Sequence, residues 1–377
     1  MLFREFQKLY TLDTGATANY GTKIENFRLQ DRNWWLTNLD IIASVKLSAA
    51  VVTPTADSVL ALLKNIRLEV NEGREGNRNV VNASGPAIVD LAAQQVGFID
   101  RFTNYSFDRL GAANDYIGCV YPIAFRNPLV PAPISYSLAL PLPRYGSDPL
   151  LSVEIGTAAE CGGTFTTANA GRLGVKVQAL ATYAEVIDPN GSFPHWKQEI
   201  STPFNKYTWG ATGQRSIEDI LQGGLLLGLL QQDYLNSGAR GFALQADATD
   251  AAEAVNTQTY TLEYRQRNVR QGTPMLLQSA NDMSMARAAS GSAFSAHAFT
   301  PSAGVYSPHA SLYHDFLCDR TLTDTFSFRS GLDLSPQTLS GGKLKLIASS
   351  IGHAGNQTRL TYWRLVGDVD RFMSATV

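Results

Sequence analysis

The stretch Ala181 to Trp196, "ATYAEVIDPNGSFPHW", constrains the fold more than any other. It begins as a strand, stops at Asp188-Pro189-Asn190-Gly191, and restarts with new aromatic residues at the middle of a 377-residue chain. Proline ends a strand and Asn-Gly permits a reversal. A chain of this length exceeds what one core usually serves. The break therefore predicts two domains, 21–188 and 189–377, preceded by a short N-terminal segment, 1–20. The linker is short and not of low complexity, so the domains should be rigidly coupled.

The order of patterns on either side of the break is the same. In the first half "LDIIASVKLSAAVV" (Leu39 to Val52) precedes an alternating strand, Leu63 to Asn71, in which Ile66, Leu68 and Val70 interleave with Arg67 and Glu69. A polar turn follows, then a helix opened by Pro86 over Ala87 to Phe102. In the second half "GGLLLGLLQQDYL" (Gly223 to Leu235) precedes "TYTLEYRQRNV" (Thr259 to Val269), a polar turn, and a helix opened by Pro274 over Met275 to Ala289. Strands separated by Pro, Gly and Ser follow in both, among them "YIGCVYPIAF", "ISYSLALPL" and "LLSVEIG" in the first. Each half ends on a long strand, Leu173 to Ile187 and Thr358 to Phe372. The class is all-β with a few short helices.

Only 17% of residues are charged and 44% are hydrophobic, against about 25% charged in an average protein. Two readings fit that deficit: extensive burial against other protein, or a merely Ser/Thr-rich β protein. The net charge is −2, with no basic tail, which argues against binding nucleic acid through its phosphates. Three scattered cysteines imply no disulfide framework and suit a reducing compartment. "MLFREFQKLY" is not a secretory signal, because Arg4, Glu5 and Lys8 interrupt it. "ILQGGLLLGLL" (Ile220 to Leu230) is far shorter than a membrane span. Synthesis in the cytoplasm is expected.

Chemistry-bearing motifs are scarce. His309, His314 and Asp315 are the nearest approach to a metal set, but their spacing matches no usual zinc site. "GTAAECGGTF" places Cys161 in a loop, where a reactive thiol is a minor reading. "GGLLLGLL" lacks the features of a phosphate loop. Glu69, Glu154, Glu185 and Glu263 lie in strands and could supply the carboxylate pair of a glycosidase. Trp34, Trp35, Trp196, Trp209 and Trp363 could form a sugar-stacking platform. The plainer expectation is solvent-facing glutamates and tryptophans at domain or subunit contacts. No catalytic residue, cofactor or metal is expected. On a helix, Leu2, Phe3, Phe6, Leu9 and Tyr10 fall on one apolar face, with Arg4, Glu5 and Lys8 toward the other.

The paired patterns, "LDIIASVKLSAAVV" with "LKNIRLEVNEG" and "RSIEDILQGGLLLGLLQQ" with "TYTLEYRQRNV", resemble the layout of the double jelly-roll major capsid proteins. This lineage builds the shells of tailless internal-membrane phages and adenovirus-like viruses. The resemblance covers nearly the whole chain. It implies two side-by-side eight-stranded jelly-roll sandwiches, a homotrimer of pseudo-hexagonal outline, and an icosahedral lattice of such trimers in the virion capsid. It further implies minor capsid proteins as partners. An internal lipid membrane is a further candidate, touched by the N-terminal apolar face. A carbohydrate-binding or glycan-hydrolysing β-sandwich, and a spike or baseplate component, stay open as alternatives.

Overall fold

A computed structural model describes residues 2–12, 21–46, 60–96, 116–126, 138–157, 160–161, 175–187, 196–203, 206–218, 220–246, 254, 256–278, 310–320, 326–328, 331–334 and 343–367. The chain divides into two compact units, with the boundary between Gln198 and Glu199. The turn 188–191 lies outside the described residues.

The first unit contains β1 (Leu2–Thr11), β2 (Lys23–Arg28), β3 (Trp35–Lys46), β4 (Leu63–Asn71), β5 (Asn77–Ala83), α1 (Gly85–Val96), β6 (Tyr116–Ala124), β7 (Leu140–Pro141), β8 (Leu150–Ile155) and β9 (Val175–Ile187). One sheet has the order β1-β9-β3-β6 and the other β5-β4-β8-β2, with antiparallel neighbours. The alternation in the sequence becomes the two faces of each strand. Leu39, Ile41 and Ala43 of β3 and Val177, Ala179, Ala181 and Tyr183 of β9 are fully buried, as are Ile66 and Leu68 of β4 and Leu151 and Ile155 of β8.

The second unit begins within β10 (Trp196–Ser201). It continues with β11 (Tyr207–Thr208), β12 (Gly213–Ile217), β13 (Leu225–Tyr234), β14 (Tyr260–Tyr264), β15 (Arg267–Gly272), β16 (Ser311–Asp315), β17 (Cys318–Arg320), β18 (Phe326–Phe328), β19 (Leu332–Asp333), β20 (Leu344–Ile351) and β21 (Gln357–Gly367). Its sheets run β10-β21-β13-β16 and β15-β14-β20-β12. Leu226, Leu229, Leu262, Leu344, Leu346, Leu360 and Tyr362 form the centre of its core.

Strand for strand, the two orders are identical. Put β10, β12, β13, β14, β15, β16, β20 and β21 in place of β1, β2, β3, β4, β5, β6, β8 and β9, and the sheets of one unit become those of the other. In each, the first strand lies beside the last and two four-stranded sheets enclose the core, the connectivity of a jelly roll. The repeated patterns of the sequence are these equivalent strands: the apolar runs are β3 and β13, the alternating segments β4 and β14, and the closing strands β9 and β21. The Pro86 helix is α1. Of its counterpart, residues 274–278 are helical, and the remainder lies outside the described residues.

The N-terminal segment departs from the expectation. Leu2 to Thr11 is a strand, not a helix, and pairs over its whole length with β9, from Leu2 opposite Ile187 to Thr11 opposite Gln178. It is the first strand of the first jelly roll, so residues 2–11 belong to that unit. Ten residues are marginal as an isolated helix, whereas here each finds a partner on β9. The five apolar residues are accordingly split. Phe6 and Tyr10 share a face with Tyr183 and Ala179, while Leu9 lies on the other, beside Leu180.

Candidate functional site

The four strand glutamates are not assembled into a catalytic pair within either unit. Glu69 and Glu154 share one sheet, but Glu69 stands opposite Leu150 whereas Glu154 stands opposite Asn65. Four rungs separate them, about 13 Å at the usual rise per residue. The carboxylate pair of a glycosidase spans roughly 5–9.5 Å. Each is engaged by cations instead: Glu69 by Arg67, and Glu154 by Lys23 at 3.7 Å and Lys64 at 3.6 Å. Glu185, on the other sheet, stands opposite Arg4. Glu263, in the second unit, is 3.9 Å from Lys345. A groove lined by Lys23, Glu25, Asn26, Asn65, Arg67, Ser152 and Glu154 lies over this outer face, and its principal charges are among these mutual pairs.

Among the described side chains, the tryptophans form no exposed platform. Trp209 and Trp363 are fully buried, and Trp35 is buried in β3. The indole N–H of Trp209 donates to Thr358 Oγ1 at 3.0 Å. Trp34 meets Phe6 edge-on at 5.2 Å. The side chain of Trp196 and all of His309 lie outside the described residues.

His314 and Asp315 are adjacent in β16 and therefore point to opposite faces. His314 shares the core face with Leu229, its partner on β13. Among the described residues no group of three His, Cys, Asp or Glu side chains could hold a metal ion. Cys161 is buried with its Sγ 3.6 Å from the Ala61 carbonyl, and burial pushes its thiol up to about 12. That suppresses the thiolate on which reactivity depends.

The sequence reading missed the polar groups that close each unit. In the second, Asp233 is a fully buried carboxylate at the end of β13. It accepts hydrogen bonds from Thr358 Oγ1 at 2.7 Å, Gln231 Nε2 at 3.0 Å, the Ala243 amide at 3.2 Å, and the Tyr260 hydroxyl. Burial raises its pKa, and these donors oppose the rise. Beside it, buried Asn356 donates to the carbonyls of Ala243 at 3.0 Å and Gln245 at 2.9 Å and accepts from the Asn236 amide at 3.0 Å. Together they tie the loop 235–246 to the starts of β14 and β21. At Gly352 a Cβ would come within 2.0 Å of the Gln245 backbone, so only glycine fits there.

The first unit is closed by phenols. Tyr10 and Tyr183 meet hydroxyl to hydroxyl at 2.9 Å, and Tyr10 donates to the Gln30 carbonyl. Tyr121 donates to the Leu60 carbonyl at 2.9 Å and accepts from the Leu63 amide at 3.1 Å, pinning the chain that enters β4. A separate ionic cluster holds the β4–β5 turn. Burial pushes the Glu72 carboxyl up, but Lys197 and Arg78, each at 2.7 Å, outweigh it and leave it below the usual range.

Among the described residues, outward-facing large apolar groups are few. Among the described large hydrophobic residues, Leu9 is 57% exposed, Met275 48% and Leu276 63%. Of the N-terminal residues singled out by sequence, Tyr10 is buried, Phe6 half-buried and Leu9 exposed; the side chains of Leu2 and Phe3 lie outside the described set. Asp40, on the outer face of β3, is largely buried, and desolvation raises its carboxyl to about 6 against a bond from Asn38.

Two jelly rolls in one chain, without an assembled set of reactive groups among the described residues, define the class: this is a double jelly-roll fold. No family model matches the sequence, and no curated protein matches it. Solved structures do. The STIV MCP matches over 99% of this chain and 98% of its own, at 14% identity and a TM-score of 0.57. A chain in the atomic structure of Sulfolobus Turreted Icosahedral Virus matches over 99% and 93%, with the same identity and score. PBCV-1 VP54 matches over 97% and 94%, at 9% identity and 0.58.

Proposed function

We propose that this chain is a major capsid protein that forms homotrimers of pseudo-hexagonal outline, which tile an icosahedral shell. The observation that carries this reading is the duplication itself. One chain contains the same eight-strand connectivity twice, and nearly its full length follows the fold of STIV MCP and PBCV-1 VP54. Three copies then supply six similar walls, and six similar walls close a ring that can pack on a hexagonal net. The low charge fits a molecule whose lateral surface is buried against neighbours. The protein acts as a wall and not as an enzyme. It resides in the virion after synthesis in the host cytoplasm, with further copies of itself as principal partner. Minor capsid proteins and an internal membrane are the secondary partners.

Obligate interfaces usually exceed about 2,000 Å², so the trimer should survive dilution. Sedimentation at nanomolar concentration tests this, with three chains per particle expected. A well-behaved monomer at micromolar concentration contradicts it.

A further inference from the structure

The second jelly roll carries a histidine where the fold has no use for a charge. His314 lies in β16, an edge strand of the sheet β10-β21-β13-β16. Its side chain is 4% exposed and shares the core with Leu312 on its own strand, Phe316 just past the strand's end and Leu229 on β13. Its Nε2 has no hydrogen-bond partner among the described residues. The charged group acting on it is the Arg270 guanidinium of β15, which donates to the Asp315 carbonyl at 2.8 Å. The other titratable groups on the surrounding elements offer it no counter-ion. Asp233 of β13 is taken up by Thr358, Gln231 and Tyr260, Tyr264 of β14 is a phenol, Asp333 of β19 acts on Tyr264, and Asp315 points to the opposite face.

We propose that His314 makes β16 an acid-releasable edge strand: as the pH falls, the imidazole leaves the core to take up a proton in water, and β16 opens with it. The proton comes from solvent, and the opened state holds it on a hydrated imidazolium away from Arg270. An edge strand has a ladder partner on one side only, so it can open while β13 and β21 stay paired.

Burial first, and Arg270 second, lower the folded-state pKa of His314 from 6.5 to about 3. A base with a lowered folded pKa leaves stability intact above its unfolded value and loses it as the pH drops through the window between the two. From pH 8 to pH 5 the opening equilibrium of β16 should rise by about 30-fold. Buried carboxyls with raised pKa, such as Asp233, act with the opposite sign, so the comparison must be made against a variant lacking only the imidazole.

The inference does not depend on the capsid reading and is tested on the isolated full chain. Amide hydrogen exchange is followed in peptides covering β16 at pH 8 and pH 5, for the wild type and for His314→Gln and His314→Leu, compared at equal pH. The expected result is an acid-induced gain in β16 opening of about 30-fold in the wild type over the variants, with β21 unchanged and β13 gaining only at the amides that face β16. Equal gains in all three proteins overturn the proposal. Should the variants fail to fold, NMR of the wild-type His314 ring decides. A neutral ring down to pH 4 while β16 is protected supports it, and a ring that takes up a proton near pH 6.5 with β16 still protected overturns it.

Discussion

The two jelly rolls share every strand pairing of their eight-strand plan and almost none of the polar chemistry that closes it. The first unit fastens its loops with phenols: Tyr10 on Tyr183, and Tyr121 between Leu60 and Leu63. The second uses a buried carboxylate and a buried amide, Asp233 and Asn356. Connectivity follows from strand length and alternation, which many sequences satisfy. The closing contacts require particular atoms at particular places, and each unit has its own. The phenols of the first closure carry no charge, and the carboxylate beside them, Asp31, is half-buried and paired with Lys8 at 2.5 Å. The second holds a group that is costly once any one donor is lost.

The comparison can be broken most severely at the first strands. Deleting residues 1–10 removes β1 and strips β9 of one ladder, so the protein should be insoluble, or should lose its cooperative melting transition. A soluble trimer with a normal melting temperature would mean that β1 is dispensable. Next in size is Asp233→Leu, which orphans Tyr260, Thr358, Gln231 and the Ala243 amide. Several buried neutral donors left unpaired should together cost about 3–5 kcal/mol, read as a drop in urea midpoint. Tyr183→Phe, its counterpart in the first unit, should cost only about 1 kcal/mol. Equal losses would erase the distinction between the two closures.

Asp40→Asn should be stabilising, because the carboxyl is raised from 3.8 to about 6. An acid shifted upward contributes fully below pH 3.8 and loses that contribution as the pH rises through 6. The gain should be about 1–2 kcal/mol at pH 7, allowing for partial exposure, and should vanish at pH 4. A gain independent of pH would refute this assignment.

Much of the plan could be read from the sequence, for reasons visible in single residues. The apolar runs of β3 and β13, the alternation of Ile66, Leu68 and Val70, and Pro86 at the start of α1 report local geometry through local pattern. At Gly85, just before that proline, a Cβ would fall 2.0 Å from the Leu63 carbonyl, so the glycine also carries a packing constraint that no window of sequence contains. β1 was misread because Leu2, Phe6 and Tyr10 satisfy periods near 4 and of 2 alike, and ten residues cannot separate them. The closures were illegible because their partners are remote: Asp233 and Thr358 are 125 positions apart. One signal was present. An aspartate ending the run "GGLLLGLLQQD" must find donors if that strand is buried on both faces, as β13 is.

Central to this account is that duplication within the chain serves sixfold-like packing between chains. Negative-stain imaging of the native protein, with its mass fixed by light scattering, tests that most directly. Three chains per particle and a hexagonal outline are predicted, because each chain contributes two similar walls. A particle of three chains with a plainly triangular outline, or a population of monomers or dimers, would contradict it.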